Sequence, residues 1–261
     1  MKIAVVIPFH NAGEWLGRCL DSIPDELEVF LVNDHSVDNS EMVIVDKCSE
    51  RMHKNWNMTN VVTKISGVAH ARNVGITEAL VNYKPDYITF LDADDTMNPD
   101  AYDQLMGAIK EAPDEPIIQL NHKKHYPNGL ETVKDFNKRG IYRLEFLPRS
   151  WVVVWNKIYK AELLKSIYFK DGLQRGEDEL FNLECLVRAR RIYCSERIHM
   201  THRFDNDASL SKRATPEDVI DEQRALIDFL EMNRNDKEIC RALINRQKEL
   251  WFNPPYHHII G

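Results

Sequence analysis

The sequence predicts an α/β fold built on a mostly parallel, buried sheet. Short runs of β-branched residues alternate with helical patterns through the first 120 residues, as in chains of βαβ units. Strands that alternate with helices of this length indicate a mainly parallel sheet that is buried on both faces. After residue 121 the pattern changes to mixed strands, and helical segments follow residue 215.

The first half contains five predicted strands connected by helices. The strands are Ile3–Ile7, Val29–Val32, Asn60–Ile65, Tyr87–Leu91 and Ile117–Leu120. The helices are Glu14–Ser22, Asp38–Met52 and Val68–Val81, and Asn98-Pro99 opens a fourth. Proline is favoured at the first position of a helix. This half therefore predicts the parallel part of the sheet.

The second half is less regular. Residues 121–129 are polar and end in the turn signal Pro127-Asn128-Gly129. A strand is predicted over Trp151–Tyr159, a helix over Glu177–Arg190, and one or two short strands over Ile192–His202. Two further helices follow, at Thr215–Met232 and Asp236–Trp251, before Pro254-Pro255. We interpret residues 1–215 as one α/β domain with mixed C-terminal strands, and residues 216–261 as a helical C-terminal extension.

The composition is that of an ordinary globular protein. The chain has 261 residues, 43% hydrophobic and 29% charged, which excludes collagen-like, low-complexity and disordered classes. No apolar run approaches the roughly 18–20 residues of a membrane span. Five scattered cysteines without a CxxC pair argue against a disulfide framework. We expect a cytoplasmic protein, with peripheral docking at the inner face of the membrane as an option.

The two halves differ in charge. Residues 1–118 carry 9 basic and 20 acidic side chains, whereas residues 119–261 carry 25 and 21. An acidic half that could hold a cation, joined to a basic half, indicates two ligands of different character. Exposed helical surfaces that merely happen to be charged remain the other explanation.

Polar loops follow three of the predicted strands. They are Pro8-Phe9-His10-Asn11, Asn33-Asp34-His35-Ser36 and Asp92-Ala93-Asp94-Asp95. Ligands bind beyond the carboxyl ends of the strands in an open parallel sheet. None of these loops is the glycine-rich loop of dinucleotide-binding dehydrogenases or P-loop NTPases. The clustered carboxylates favour Mg²⁺ or Mn²⁺, which bind through oxygen ligands and nucleotide phosphates.

Six motifs together resemble those of family 2 glycosyltransferases with the GT-A fold. They are, in chain order, VVIPFHN, VNDHS followed by Asp38, Ala71-Arg72-Asn73-Val74-Gly75, FLDADD, WNKIYK and Gly176-Glu177-Asp178. The resemblance extends to about residue 211. It implies a Rossmann-like half for a nucleotide-sugar over residues 1–118 and an acceptor half over residues 119–215.

The resemblance assigns donor contacts in the first half. Pro8, with Phe9, His10 and Asn11, would form the floor of the nucleotide pocket. Asp34 would accept the N3–H of a uracil-type base, which requires an acceptor group. Arg72 would lie near that base and the phosphates, and Asp92 would meet the ribose. Asn33 stands where many relatives have an aspartate.

The same resemblance implies a metal site in the third loop. Asp94 would bind Mn²⁺ or Mg²⁺ bridging the donor diphosphate. Asp95 would cap the next helix or assist at the site. The segment with His202, Arg203, Ser209 and Ser211 is similar to one that closes over the diphosphate, and His202 could reach the metal.

The remaining motifs concern catalysis and the acceptor. Asp178 matches the general base, and Glu177 would be oriented to the acceptor or to the surrounding network. Trp155, Asn156 and Lys157 fit the acceptor side, where an aromatic ring stacks on a sugar or base; a core tryptophan explains Trp155 equally well.

These expectations define the predicted function. It is the metal-dependent, inverting transfer of a sugar from a nucleotide donor, UDP-linked, to an acceptor hydroxyl. The acceptor could be a phosphate-rich cell-wall polymer, an acidic polysaccharide or a hydroxylated nucleic-acid base, which would fit the basic clusters His122-Lys123-Lys124-His125, Lys138-Arg139 and Arg188-Ala189-Arg190-Arg191. Exposed polar loops without any role in acceptor binding explain these clusters equally well. A nucleotidyltransferase and a non-catalytic module binding sugar-nucleotide or polymer are the alternatives.

Overall fold

The structure is a computed structural model that describes residues 1–51, 57–134, 136, 138–144, 152–204 and 215–252. Its strands are β1 (Ile3–Phe9), β2 (Glu28–Asn33), β3 (Met58–Val62), β4 (Tyr87–Phe90), β5 (Thr96–Met97), β6 (Ile117–Tyr126), β7 (Gly129–Val133), β8 (Gly140–Arg143), β9 (Lys157–Lys160) and β10 (Arg191–Arg203). Its α-helices are α1 (Gly13–Asp21), α2 (Ser40–Arg51), α3 (Val68–Glu78), α4 (Ala101–Glu111), α5 (Glu177–Ala189), α6 (Pro216–Met232) and α7 (Lys237–Phe252).

The strands form one sheet in the order β3-β2-β1-β4-β9-β6-β10-β5, with β7 beside β6 and β8 beside β10. The first four strands of that order pair in parallel. Helices α1, α2 and α3 provide the crossovers between them. The carboxyl ends of β1, β2 and β4 therefore meet at one edge of the sheet, as the βαβ pattern predicts.

The second half of the sheet is mixed. β9 is antiparallel to both β4 and β6, whereas β10 is parallel to β6. The turn signal at Pro127-Asn128-Gly129 becomes a hairpin, because β6 returns antiparallel as β7. This arrangement confirms an α/β fold with a mostly parallel sheet and mixed C-terminal strands.

Apolar side chains cover both faces of the sheet. Along β1, Ala4 and Val6 belong to one buried cluster, and Ile3, Val5 and Ile7 to a second. The alternation of side chains along a strand separates the two clusters. This is why β1 is apolar and buried at every position. Among the described residues, no helix is both long enough and apolar enough to cross a bilayer.

Several predicted elements have different bounds in the structure. The strand expected over Trp151–Tyr159 is confined to Lys157–Lys160, and Trp151 lies outside the described residues. α4 begins at Ala101, with Asp100 at its N-cap, rather than at Pro99. The segment Ile192–His202 is one long strand, not short pieces, because it pairs with β6 along most of its length.

Candidate active site

Three loops converge at the carboxyl edge of the parallel strands. The N–H of Asp34, just after β2, donates to the carbonyl of Phe9 at the end of β1, at 2.8 Å. Leu91, just after β4, donates to Val6 on β1 at 3.1 Å. Sheet hydrogen bonding thus holds the three predicted loops side by side, and their polar side chains share one edge.

Asp34 is buried, with only 8% of its surface exposed. Both of its carboxylate oxygens accept the N–H of Gly67, at 3.0 and 2.9 Å. The ring Nδ1 of His10 donates to the Asp34 carbonyl at 2.5 Å. A carboxylate has about four lone-pair positions, so Asp34 retains acceptor capacity for a base N–H.

The loop around Asn11 is fixed by side chains from the loop after β2. Asn11 has a φ of 49°, and its N–H donates to Ser36 Oγ at 2.9 Å. Asn33 accepts the N–H of Ser36 at 2.7 Å and donates to Glu41 at 2.5 Å. Both the oxygen and the nitrogen of the Asn33 side-chain amide therefore stabilise this loop.

Arg72 is the centre of an ion-pair network between distant segments. Its Nη1 donates to Glu177 at 3.0 Å and to Asp178 at 2.8 Å, and its Nη2 donates to Asp92 at 3.0 Å. The arginine side chain is only 5% exposed, and its guanidinium lies 5.4 Å from the centroid of the Phe169 ring. Within the described part of the chain, three carboxylates thus share the single positive charge of Arg72.

This network sets the pKa of Asp178. Burial raises the pKa of Asp178 to about 7, a rise that Arg72 opposes and that Glu177 and Asp92 reinforce. Burial disfavours the charge on Arg72, but the carboxylates of Asp178, Asp92 and Glu177 outweigh it and raise the pKa of that guanidinium. Arg72 therefore stays charged, and Asp178 can exchange a proton near neutral pH.

Asp178 stands in the first turn of α5, next to Glu177. α5 begins after Gly176, whose φ is 78°, so the prediction that Glu177-Asp178 opens a helix is confirmed. Positive potential at a helix N-terminus stabilises carboxylates there. The N–H of Val154 reaches the second Asp178 oxygen at 3.4 Å.

Asp95 holds His202 in one orientation. Asp95 is fully buried and accepts the Nδ1–H of His202 at 2.9 Å and the N–H of Arg203 at 2.8 Å. The expectation that Asp95 caps the next helix is wrong, since Asp100 occupies that position. Burial raises the pKa of Asp95 to about 7. Burial lowers the pKa of His202, but the nearby Asp95, Asp92 and Asp94 outweigh it and raise that pKa.

The donor set fits a divalent cation bound through few protein ligands. Asp94 is half-buried, and its charge acts on His202. With Nδ1 of His202 engaged by Asp95, the other ring nitrogen is the one that can face a metal. Over the residues that the structure describes, no group of three or more His, Cys, Asp or Glu side chains could hold a metal. A cation here would need phosphate oxygens to complete its coordination.

The three residues predicted for the acceptor side are largely buried. Trp155 is 7% exposed; it stacks on His202 with ring centroids 4.8 Å apart and meets His122 edge-on at 4.7 Å. The side chain of Lys157 donates to the Val153 carbonyl and to Asn156, at 2.8 Å for the latter. Asn156 and Lys157 are 0% and 1% exposed, which argues against direct contact with an acceptor. Trp155 supports His202 from within the fold.

One predicted donor residue, Arg203, contacts Asp95 through its N–H, and one residue that was not predicted, Phe169, packs against Arg72. Ser209 and Ser211 lie outside the described residues, whereas Arg203 is half-buried at the end of β10. Phe169, on which Arg72 packs, was not predicted. Phe169 lies in an irregular segment without a motif, so no sequence signal pointed to it.

Comparisons with known proteins identify the family and the fold of this chain. The family model described as glycosyl transferase family 2 matches residues 4–173. Glycosyltransferase GlyA of Streptococcus pneumoniae is 26% identical over 211 residues, which are 73% of this chain and 29% of GlyA. The poly(ribitol-phosphate) beta-N-acetylglucosaminyltransferase TarS of Staphylococcus aureus is 26% identical over 244 residues, which are 87% of this chain and 40% of TarS. The chain thus spans less than half the length of these two relatives.

The fold is shared with a solved structure. The crystal structure of S. aureus TarS residues 1–349 in complex with UDP-GlcNAc superposes with a TM-score of 0.78 and 22% identity, covering all of this chain and 76% of that one. This likeness confirms the expected GT-A fold. Because the family model spans well over half of the sequence, the chain belongs to glycosyl transferase family 2.

Proposed function

We propose that this chain transfers a sugar from a UDP-linked donor to a hydroxyl of a polymeric acceptor, with inversion at the sugar carbon. One arrangement carries the proposal: the half-buried carboxylate of Asp178 shares the guanidinium of Arg72 with Asp92, and burial raises the pKa of Asp178 to about 7. A proton acceptor suited to neutral pH is thereby joined to the loop expected to bind the donor.

The burial of Asp34 supports a uridine donor. A buried carboxylate that can only accept hydrogen bonds selects a nucleobase that offers an N–H, as uracil does at N3. Asp92, still partly exposed at 29% of its side chain, is available to a ribose hydroxyl. The TarS structure noted above contains UDP-GlcNAc, which is consistent with this donor class.

Asp94 and His202 would hold Mn²⁺ or Mg²⁺ at the donor diphosphate. The bound cation would supply neutralisation of the negative charge that develops on the departing diphosphate. The buried Asp95 orients His202 toward this task through the Nδ1–H hydrogen bond, and the stacked Trp155 limits rotation of its ring.

Asp178 acts as the general base in a single displacement. It removes the proton of the acceptor hydroxyl while the hydroxyl oxygen bonds to the anomeric carbon. The bond from that carbon to the diphosphate oxygen breaks, and UDP leaves with the electron pair. One displacement inverts the anomeric configuration. Glu177, which shares Arg72 with the base, orients the acceptor or the ion-pair network.

The acceptor class follows from charge and from the relatives. TarS is named for a poly(ribitol-phosphate) acceptor, and the second half of this chain is basic. We propose a phosphate-bearing polymer of polyol or sugar units. The comparisons lend no support to a nucleic-acid acceptor.

Residues 1–215 would form the transferase domain, onto which α6 packs through the ion pair of Arg175 with Glu222 at 2.6 Å.

The two alternative functions have less support. A nucleotidyltransferase would not belong to this family, and a binding module has no need of a general base at the N-terminus of α5. The decisive experiment compares Asp178→Asn with the control Glu184→Gln, a half-exposed carboxylate on the same helix. The assay supplies UDP-GlcNAc or UDP-glucose, Mn²⁺ and a ribitol-phosphate oligomer.

We expect Asp178→Asn to lose transfer by about 10²–10⁴-fold, the range for a general base, while UDP still binds. Glu184→Gln should transfer normally. Nuclear magnetic resonance coupling constants should show inverted anomeric configuration in the product. Retention of configuration, or normal turnover by Asp178→Asn, would reject the assignment of the base.

A further inference from the structure

A row of three aromatic and basic side chains extends from His202 along β6 and the end of β10. Its members are Lys124, Tyr126 and Phe204. In the parallel register, His202 lies opposite Lys124 and Thr201 lies opposite Lys123. Because successive side chains in a strand point to opposite faces, Lys124 shares a face with His202. Lys123 points to the other face.

The contacts along this row are continuous. The ring of Phe204, just beyond β10, meets His202 edge-on at 4.8 Å. Phe204 stacks on Tyr126 at 4.9 Å with an interplanar angle of 19°. The ammonium of Lys124 lies 5.4 Å from the centroid of the Phe204 ring. The row therefore leads from the candidate metal ligand to the end of β6.

These side chains are not simply part of the core. Lys124, Tyr126 and Phe204 are all half-buried, and neither aromatic residue is among the described members of the two apolar clusters. Lys124 lies opposite Glu131 on β7, yet within the described part of the chain its ammonium forms no ion pair. A partly exposed cation beside stacked rings indicates a surface for a ligand.

We propose that Lys124, Tyr126 and Phe204 bind the acceptor polymer next to the donor site. The ammonium would contact a phosphate of the polymer, and the stacked rings would pack against the C–H groups of a neighbouring polyol or sugar unit. The occupant is a phosphodiester-linked polyol. This inference rests on the proposed function, since it names the surface that presents the acceptor hydroxyl to Asp178.

The adjacent lysines provide a matched pair for the test. Lys124→Ala and Lys123→Ala remove the same charge from neighbouring, half-buried positions on opposite faces of β6. The probe is a ribitol-phosphate oligomer, and its Kd is measured by calorimetry without donor. The acceptor KM and kcat are measured with UDP-GlcNAc and Mn²⁺.

Lys124→Ala should raise the oligomer Kd and the acceptor KM about two- to fivefold, as for loss of a partly exposed ion pair, with little change in kcat. It should also lower the slope of log Kd against log salt concentration by about one. Lys123→Ala should leave the Kd within twofold of the wild type.

Tyr126→Leu should raise the acceptor KM, whereas Tyr126→Phe should have an acceptor KM close to that of the wild type. Glu131→Gln should lower the KM by removing a repulsive charge.

Equal effects of Lys124→Ala and Lys123→Ala would overturn the proposal, as would a wild type that does not bind the oligomer. A parallel loss of UDP affinity in Lys124→Ala would also overturn it, because the defect would then be in the donor site. Failure of the proposed function looks different: neither UDP binding nor transfer would occur in any variant, whatever the oligomer Kd.

Discussion

Replacing Arg72 with methionine should move the pH dependence of transfer. Arg72 is the one cation that the described residues place against Asp178, at 2.8 Å, and it lowers the pKa of that carboxyl. Methionine approximates the length of the arginine stem but carries no charge. Without the guanidinium, the pKa of Asp178 should rise above its value of about 7.

The size of the effect follows from the contact distance. An opposite charge within hydrogen-bond reach shifts a carboxyl pKa by about 1–3 units. A shift from about 7 to about 8–10 lowers the ionised fraction of Asp178 at pH 7 from about one half to about 0.1–0.001. Transfer at pH 7 should therefore fall about 5- to 500-fold. Part of the loss should be recovered as pH rises, because the base must be ionised to act.

The assay is the pH profile of kcat/KM between pH 6 and pH 9 for wild type and Arg72→Met. Arg197→Met is the control, because Arg197 pairs with Glu111 at 2.8 Å, away from the Arg72 network. The reasoning is refuted if kcat/KM of Arg72→Met rises over the same pH range as that of the wild type and UDP binding is weakened. Arg72 would then bind the donor phosphates instead of lowering the pKa of Asp178.

Three further predictions concern the metal, the contact of Asp34 with the nucleobase, and helix packing. Asp94→Asn should abolish metal-dependent transfer and weaken UDP binding in the presence of Mn²⁺; full wild-type activity in EDTA would contradict it. Asp34→Ala should narrow the calorimetric preference for UDP over ADP and GDP, whereas equal affinities in the wild type would remove its role. Gly75→Ala should lower the free energy of unfolding by about 1–3 kcal/mol through overpacking, since a Cβ there would lie 2.4 Å from Val6 Cγ1; unchanged denaturant midpoints would contradict that.

The first half of the fold could be predicted because its signals are local. β1, β2 and β4 are short and mostly apolar runs, and each crossover helix has its own pattern. The edge where three loops meet then follows from the topology of parallel strands. The second half contains pairings between segments far apart in sequence, such as β6 with β10, which no local pattern encodes.

The same contrast holds for the candidate site. Asp34 and the loop of Asp92, Asp94 and Asp95 could be located because they directly follow predicted strands. The partners of Arg72 could not, since Glu177 and Asp178 are more than 100 residues away in sequence. Only the packing of α3 and α5 over the sheet brings them together.

The face that His202 occupies depends on irregularities in β10. The register between β10 and β6 shifts between Ser195 and Ile198 and again between Ile198 and Thr201. A shift of one residue moves every later side chain to the opposite face of a sheet. Sequence alone therefore treats Lys123 and Lys124 as one basic cluster. After the shifts, only Lys124 shares a face with His202 and Phe204, so the two lysines should separate in any measurement of acceptor binding.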